Sequence, residues 1–214
     1  LTCSTATAGA LVYTTNATLS IHRCAFVGVG AGGTSCTQDA IVLGGTQQIE
    51  AGSGWDDGFQ GYGTVIDQNH FSKIKTAVKL QAFCNAVIVS NNNVWNTCGN
   101  ASGAPFIING QAGAQDAVGN SFIGNLIEIS YYAYGYMFDK ASRNTIHGGG
   151  FYDETATSLA AVIFASTANH NFLRGAFKSA ALTSVIDNGV NSYEDTANSG
   201  SQSFFKNPYK YRTL

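Results

Sequence analysis

Six short segments of this chain align with one another without a gap. They are "IHRCAF" from Ile21, "IDQNHF" from Ile66, "IVSNNN" from Ile88, "FIGNLI" from Phe122, "IHGGGF" from Ile146 and "FLRGAF" from Phe172. Three positions after each apolar anchor stand Cys24, Asn69, Asn91, Asn125, Gly149 and Gly175. Asn and Gly are the residues that best tolerate a left-handed backbone, so this offset predicts a sharp bend between two short strands. Five positions after the anchor come Phe26, Phe71, Asn93, Ile127, Phe151 and Phe177, a second and mostly apolar inward column.

A third apolar stretch completes each repeat: "AIVLGG" from Ala40, "AVKLQAF" from Ala77, "FIING" from Phe106, "YMFDKA" from Tyr136, "VIFAS" from Val162 and "SVIDNG" from Ser184. Asn then precedes the next anchor, as in "GNSFI", "RNTI" and "NHNF". Three strands per repeat with an Asn corner is the pattern of a solenoid, in which each coil buries its apolar columns under the next. A β-sandwich also has many short strands, but nothing in it would hold a fixed three-residue offset from anchor to Asn or Gly.

The rest of the composition is consistent with such a chain. The 214 residues are enough for one sizeable core, and Gly, Asn, Ser and Thr dominate while Pro is limited to Pro105 and Pro208. Charged residues make up 11% and the net charge is -2, which excludes an electrostatic grip on nucleic acid or anionic membrane. No apolar run approaches the roughly 20 residues of a membrane span, so membrane insertion is not expected. The chain opens at Leu1 rather than Met and carries no signal-like leader, as expected of a fragment or processed form. Cys3, Cys24, Cys36, Cys84 and Cys98 fit neither a disulfide framework nor a metal knuckle. Small buried thiols are expected, with Cys24–Cys36 and Cys84–Cys98 as the pairs that come near each other.

The rungs "GTVIDQNHF", "NAVIVSNNN" and "GNSFIGNLI" resemble those of right-handed parallel β-helices of the pectate-lyase-like class, with their stacked Asn turns. The resemblance implies an all-β fold: a single-stranded right-handed parallel β-helix with three-strand coils, over residues 19–198. Residues 1–18 would then be a cap or the continuation of an upstream coil, and residues 199–214 an aromatic and basic tail serving as cap or subunit contact. Within that class the chain looks most like bacteriophage tailspikes and tail-fibre depolymerases. This implies a homotrimer on the virion that binds bacterial surface polysaccharide, capsule or O-antigen, at the cell surface and depolymerises it, hydrolysis being favoured over lyase chemistry. The alternative is a non-catalytic receptor-binding or structural β-helix, such as a fibre segment or adhesin. No motif matches the calcium-binding acidic cluster or the arginine base of a secreted pectate lyase.

Candidate chemistry comes from the columns that face outward. If Leu43, Leu80, Ile108, Phe138, Phe164 and Ile186 point inward, then Gly44, Gln81, Asn109, Asp139, Ala165 and Asp187 point out. Asp139 and Asp187 would sit two coils apart, roughly 10 Å at about 4.8 Å per coil. The acid and base of an inverting glycosidase stand about 6.5 to 9.5 Å apart, so this spacing permits that role. Ordinary exposed aspartates beside turns are the plainer explanation.

Six positions past the anchor, Val27, Ser72, Val94, Glu128, Tyr152 and Lys178 form another outward column, with Asp153 and Glu154 at its edge. Glu128 with Asp153 is the second carboxylate pair for acid–base work, and Tyr152 and Lys178 are substrate contacts. A screened surface ion pair around a tyrosine is the competing explanation.

The segment "GSGWDDGFQGYG" adds Trp55, Asp56, Asp57, Phe59 and Tyr62 as candidate sugar contacts, because aromatic faces stack on sugar C–H surfaces and carboxylates accept hydroxyl hydrogen bonds. The cluster Tyr131 to Tyr136 suits either sugar stacking or a subunit interface. His22 and His147 share a column several coils apart, and His70 and His170 have no evident partner. Neither a metal site nor a cofactor is expected.

Overall fold

In the computed structural model of the protein, the described residues are 9–14, 18–28, 36–44, 61–82, 84–95, 100–110, 117–153, 157–178, 185–189 and 193–198. Among them no helix occurs. Strand β1 (Gly9–Thr14) is followed by β2 (Ser20–His22), β3 (Ala25–Val27) and β4 (Gln38–Leu43). Next come β5 (Val65–Asp67), β6 (His70–Ser72) and β7 (Thr76–Leu80), then β8 (Ile88–Ser90), β9 (Asn93–Val94) and β10 (Phe106–Asn109). The following rung holds β11 (Ala117–Val118), β12 (Ser121–Ile123), β13 (Leu126–Glu128) and β14 (Tyr134–Asp139). After it come β15 (Ala141–Ser142), β16 (Thr145–His147), β17 (Gly150–Tyr152) and β18 (Ala160–Phe164), and finally β19 (Phe172–Lys178), β20 (Val185–Asp187) and β21 (Tyr193–Asn198).

The chain returns to the same ladders in every rung. One ladder runs β2-β5-β8-β12-β16-β19, a second β3-β6-β9-β13-β17-β19, and a third β1-β4-β7-β10-β14-β18-β20. All of these pairings are parallel, for example β5 with β8, β13 with β17 and β14 with β18. Strand β19 passes through the corner and pairs β16 with its first half and β17 with its second, so the first sheet, built on the first ladder, and the second sheet, built on the second, are continuous there, while the third ladder forms the third sheet. The expected all-β chain of parallel strands in stacked sheets is therefore what forms. Strand β1 pairs β4, so part of the 1–18 segment extends the third sheet. The tail 199–214 and the aromatic segment 52–60 lie outside the described residues.

The register corrects two anchors. The first ladder aligns Ile21, Ile66, Val89, Phe122, Ile146 and Leu173, not Ile88 and Phe172. Val89 is fully buried while Ile88 is 39% exposed. Where three β-branched residues run together, as Val87-Ile88-Val89 do, the two faces of a strand read alike in the sequence. The pairing with buried neighbours decides which points in.

Moving the anchor reassigns the asparagines. The inward position three after it holds Asn69, Asn92 and Asn125, all buried. Asn92 Oδ1 accepts from Asn69 N and Nδ2, at 2.9 and 3.0 Å, and Asn92 Nδ2 donates to Asn125 Oδ1 and Ile66 O, each at 3.0 Å. A second ladder, two positions before the anchor, stacks Asn120, Asn144 and Asn171 in the same way. A buried amide left unmatched costs about 1–3 kcal/mol, so each stack fixes its corners only as a continuous set.

The left-handed residue is not the Asn itself but the one before it. Arg23, Gln68, Asn91, Gly124, Gly148 and Gly175 precede the first ladder position, and Ala86, Gly119, Arg143 and His170 precede the second, all with φ between 50° and 67°. The first ladder stops at Gly149, where an added Cβ would stand 2.3 Å from Asn125 O.

Between the ladders lies the core. Phe26 stacks on Phe71 at 5.0 Å, Phe106 on Tyr136 at 4.9 Å, and Phe138 packs on Phe164 at 5.1 Å. Each such buried side chain contributes about 1.5–3 kcal/mol. Leu43, Leu80, Ile108, Phe138 and Phe164 do form one buried column, but Asp187 rather than Ile186 is paired with Phe164. Cys84 is a buried free thiol, pushed up to about 12 by desolvation, and Cys24 is also free. Neither of the two cysteine pairs suggested by the sequence forms; Cys36 is disulfide-bonded instead.

Candidate functional site

The outward face of the second sheet gathers the densest set of candidate residues. Its strands are only two or three residues long between corners; they bury the fifth position after the anchor and turn the fourth and sixth to the other face, where Asn93, Leu126 and Tyr152 are exposed and Gly150 and Glu128 are covered. Val94 belongs to the buried fifth column, paired with Phe71 and Ile127. The next residue, Trp95, therefore takes the outward place beside Glu128, and its N–H donates to Phe71 O at 3.0 Å. Glu128 pairs with Tyr152. The column reads Val27, Ser72, Trp95, Glu128, Tyr152.

The three residues at its centre differ sharply in environment. Trp95 is 55% and Tyr152 56% exposed, whereas Glu128 between them is 6% exposed. Glu128 Oε1 accepts the Ser130 N–H at 2.8 Å. Ser130 is itself held in place by the turn in which Tyr132 N donates to Ile129 O. Glycine at position 150 leaves the sheet surface bare there. The ring of Tyr152 comes to 3.4 Å, and Leu126 Cδ2 to 3.3 Å, from where a Gly150 Cβ would stand. Tyr152 thus lies low over the sheet with its outer face free, and exposed Leu126 continues that surface.

Asp153 follows at the edge of this face. Its Oδ2 accepts the Ser158 N–H at 3.0 Å, while Ser158 Oγ and Thr157 Oγ1 donate to Ile129 O and Ser130 O. The Asp153 carboxylate holds the returning segment at Ser158, and the Ser158 and Thr157 hydroxyls tie that segment to the neighbouring rung at Ile129 and Ser130. Lys178, expected in line with Tyr152, is paired with Phe151 instead, one position short, because the anchor of its rung is Leu173.

The other carboxylate pair does not share a column. Asp139 pairs with Asn109 and accepts the Thr167 hydroxyl. Asp187 pairs with Phe164 and accepts the Gly189 N–H at 2.9 Å. The sequence had put the inward column through Ile186; the register shift of one residue moves Asp187 out of line with Asp139.

Of the aromatic candidates, Trp55, Asp56, Asp57 and Phe59 lie outside the described residues. Tyr62 is exposed, and its carbonyl accepts the Thr18 hydroxyl at 2.7 Å. The tyrosine cluster splits: Tyr132 and Tyr136 are buried, the one donating to Ile74 O and the other accepting from Asn125 Nδ2 at 3.2 Å. Burial raises the Tyr136 hydroxyl far above its usual range. These two are core residues, not a sugar platform. Among the described residues no three His, Cys, Asp or Glu side chains come together as a metal-ligand set.

Trp95 was missed by sequence reasoning, which placed Val94 in this column. The available signal was Val94 itself, a β-branched residue between Asn93 and Trp95 that fits the core better than either. Comparison with protein-family models, with curated proteins and with solved structures returned no match. The outer face of the second sheet is therefore argued from its own chemistry: two aromatic faces about two rungs apart, roughly 10 Å, with a buried carboxylate between them.

Proposed function

We propose that the chain is a right-handed parallel β-helix of the phage tailspike type that holds bacterial surface polysaccharide along the outer face of its second sheet. The observation that carries this reading is the Trp95, Glu128, Tyr152 column. Aromatic faces stack on the C–H faces of sugar rings, and a carboxylate between them accepts hydroxyl hydrogen bonds. The span of about two rungs, roughly 10 Å, suits successive rings of one extended glycan. The low charge of the chain fits a partner recognised by stacking and hydrogen bonds.

The depolymerase part of the proposal centres on Glu128 as general acid, because its carboxyl lies between the two aromatic faces where a glycosidic oxygen would sit. A second reading, binding without cleavage, is favoured by a specific observation: Asp139, Asp153 and Asp187 each accept a hydrogen bond that closes a turn or corner. The homotrimer belongs to the same proposal. Ile107, Met137, Ile163 and Ile186 are consecutive in the third sheet and half-buried, an apolar stripe suited to a subunit contact.

The test is incubation with a panel of capsular and O-antigen polysaccharides, following product size and the absorbance of unsaturated uronates. Shortened products without new absorbance support hydrolysis, and with absorbance a lyase. A glycan bound but left intact supports the second reading. If no glycan in a broad panel binds, or if Trp95→Ala leaves binding unchanged, this proposal fails.

A further inference from the structure

The outer face of the first sheet carries a second polar cluster, independent of the aromatic one. His22, Asp67 and Ser90 are consecutive in the column one position past the anchor, on strands β2, β5 and β8. Ser20 stands two residues before His22 on the same strand and therefore on the same face. Ser20 Oγ lies 2.5 Å from His22 Nε2, and His22 Nδ1 lies 3.7 Å from Asp67 Oδ2. Asp67 is fixed from its other side, its Oδ1 accepting from Ser90 Oγ at 2.7 Å and Asn91 Nδ2 at 3.1 Å.

These contacts assign different roles to the two imidazole nitrogens. An anion at Nδ1 favours the tautomer with its proton there, which leaves the Nε2 lone pair directed at the Ser20 hydroxyl. The Ser90 hydrogen bond, with smaller contributions from Asn91 and His22, outweighs partial desolvation and holds the Asp67 carboxyl below its usual value. Asp67 is thus an anion at neutral pH. The nearby cation, Arg23, is turned away, its Nε donating to Gln68 Oε1 at 3.0 Å, while Cys24 Sγ meets His22 only at the backbone carbonyl. A separation of 3.7 Å is an ionic contact rather than a hydrogen bond. It is worth most when His22 carries a second proton, which is the charge that develops as Ser20 is deprotonated.

We infer that Ser20, His22 and Asp67 form a nucleophilic acyl-transfer site for carboxylic esters of small acyl groups. Ser20 Oγ attacks the acyl carbon as its proton passes to His22 Nε2. The ester C–O bond then breaks, and the leaving alkoxide takes that proton as the alcohol. Water, deprotonated by the same nitrogen, attacks the acyl-Ser20 ester; the carboxylic acid leaves and Ser20 recovers its proton. Asp67 touches no reacting atom and is a positioning residue. Ser20 and His22 are exposed, so a small ester reaches them without any opening motion.

The site is tested on the full chain with a fluorophosphonate probe, which bonds to an activated serine oxygen and expels fluoride, and with p-nitrophenyl acetate. Peptide mass analysis is expected to place the adduct on Ser20. Labelling and p-nitrophenolate release should vanish in Ser20→Ala and fall on the order of 100-fold in His22→Ala. Asp67→Asn should slow both reactions and Asp67→Glu should restore part of the rate, a rescue that a merely structural carboxylate would not give. All three side chains face outward, and circular dichroism verifies that each variant keeps its fold. Absence of a Ser20 adduct in the folded wild type overturns the assignment, as does an unchanged labelling rate in His22→Ala. Neither probe is a glycan, so failure here is distinguishable from failure of the second-sheet proposal.

Discussion

The Tyr152 ring lies against the backbone of Gly150, with Cε2 3.4 Å and Oη 3.8 Å from the position a Cβ at residue 150 would take. The ring is held low because nothing stands under it. A β-branched side chain at 150 must therefore lift or turn the ring while leaving the core beneath untouched. Gly150→Val is expected to weaken glycan binding by about tenfold, near 1.4 kcal/mol, as Tyr152→Ala does, with little change in the thermal midpoint. Titration calorimetry with whichever polysaccharide binds, alongside thermal unfolding, checks the pair. A large stability loss with unchanged affinity would place the ring in a structural role.

Glu128 combines burial with a bond to the Ser130 N–H, and an amide at that position can keep the bond. Glu128→Gln is expected to remain within about 1 kcal/mol of wild-type stability and to abolish cleavage. Glu128→Ala leaves the Ser130 N–H without its acceptor and should cost about 1–3 kcal/mol more. The measurements are urea unfolding of both variants and the size of polysaccharide products. Undiminished cleavage by Glu128→Gln would remove this residue from the chemistry.

Asn91 and Asn92 are adjacent and chemically identical, yet one should tolerate substitution and the other should not. Asn92 is buried in the amide stack between Asn69 and Asn125, whereas Asn91 is exposed with a left-handed φ of 51°. Asn92→Ala removes a donor and an acceptor from the ladder and is expected to destabilise by about 3 kcal/mol or more. Asn91→Gly relieves the left-handed strain and should be neutral, after subtracting the loss of its bond to Asp67. Equilibrium unfolding of the two variants measures this. Equal effects would overturn the register assigned here to the third rung.

That register also explains what the sequence made legible. Ile21 and Ile146 stand between polar neighbours, so their inward direction follows from alternation, whereas Ile66 and Phe122 each have one apolar neighbour, Val65 and Ile123, and take theirs from the Asn three positions on. Val87-Ile88-Val89 and Phe172-Leu173 offer apolar residues on both faces, and there alternation gives no preference. Each one-residue slip carried consequences outward: Trp95 was replaced by Val94, Lys178 was set beside Tyr152, and the same kind of slip at Ile186 aligned Asp187 with Asp139. Glu128 and Tyr152 survived because their rungs were correctly anchored. The Ser20, His22 and Asp67 cluster is only partly legible: Ser20 and His22 alternate onto one face of a strand, but the contacts between their side chains depend on rotamers and on the pairing of His22 with Asp67 in the next rung.

Asp67 makes an acid-limb prediction. Its folded pKa is lowered from the model-compound value of 3.8, first by Ser90 and then by Asn91 and His22, against partial desolvation. A carboxyl with a depressed folded pKa contributes stability that is fully present above its unfolded value and is lost as pH falls through the folded one. Asp67→Asn should therefore be less stable than wild type at pH 7, and the difference should shrink once the pH drops below about 4. Urea midpoints of the two proteins at pH 7 and at pH 3 give the comparison. The variant keeps an acceptor oxygen for Ser90 but loses the charge, so a pH-independent gap would show that the hydrogen bonds matter and the anion does not. In that case the ionic contact with His22 would lose its support as well, linking this measurement to the labelling of Ser20.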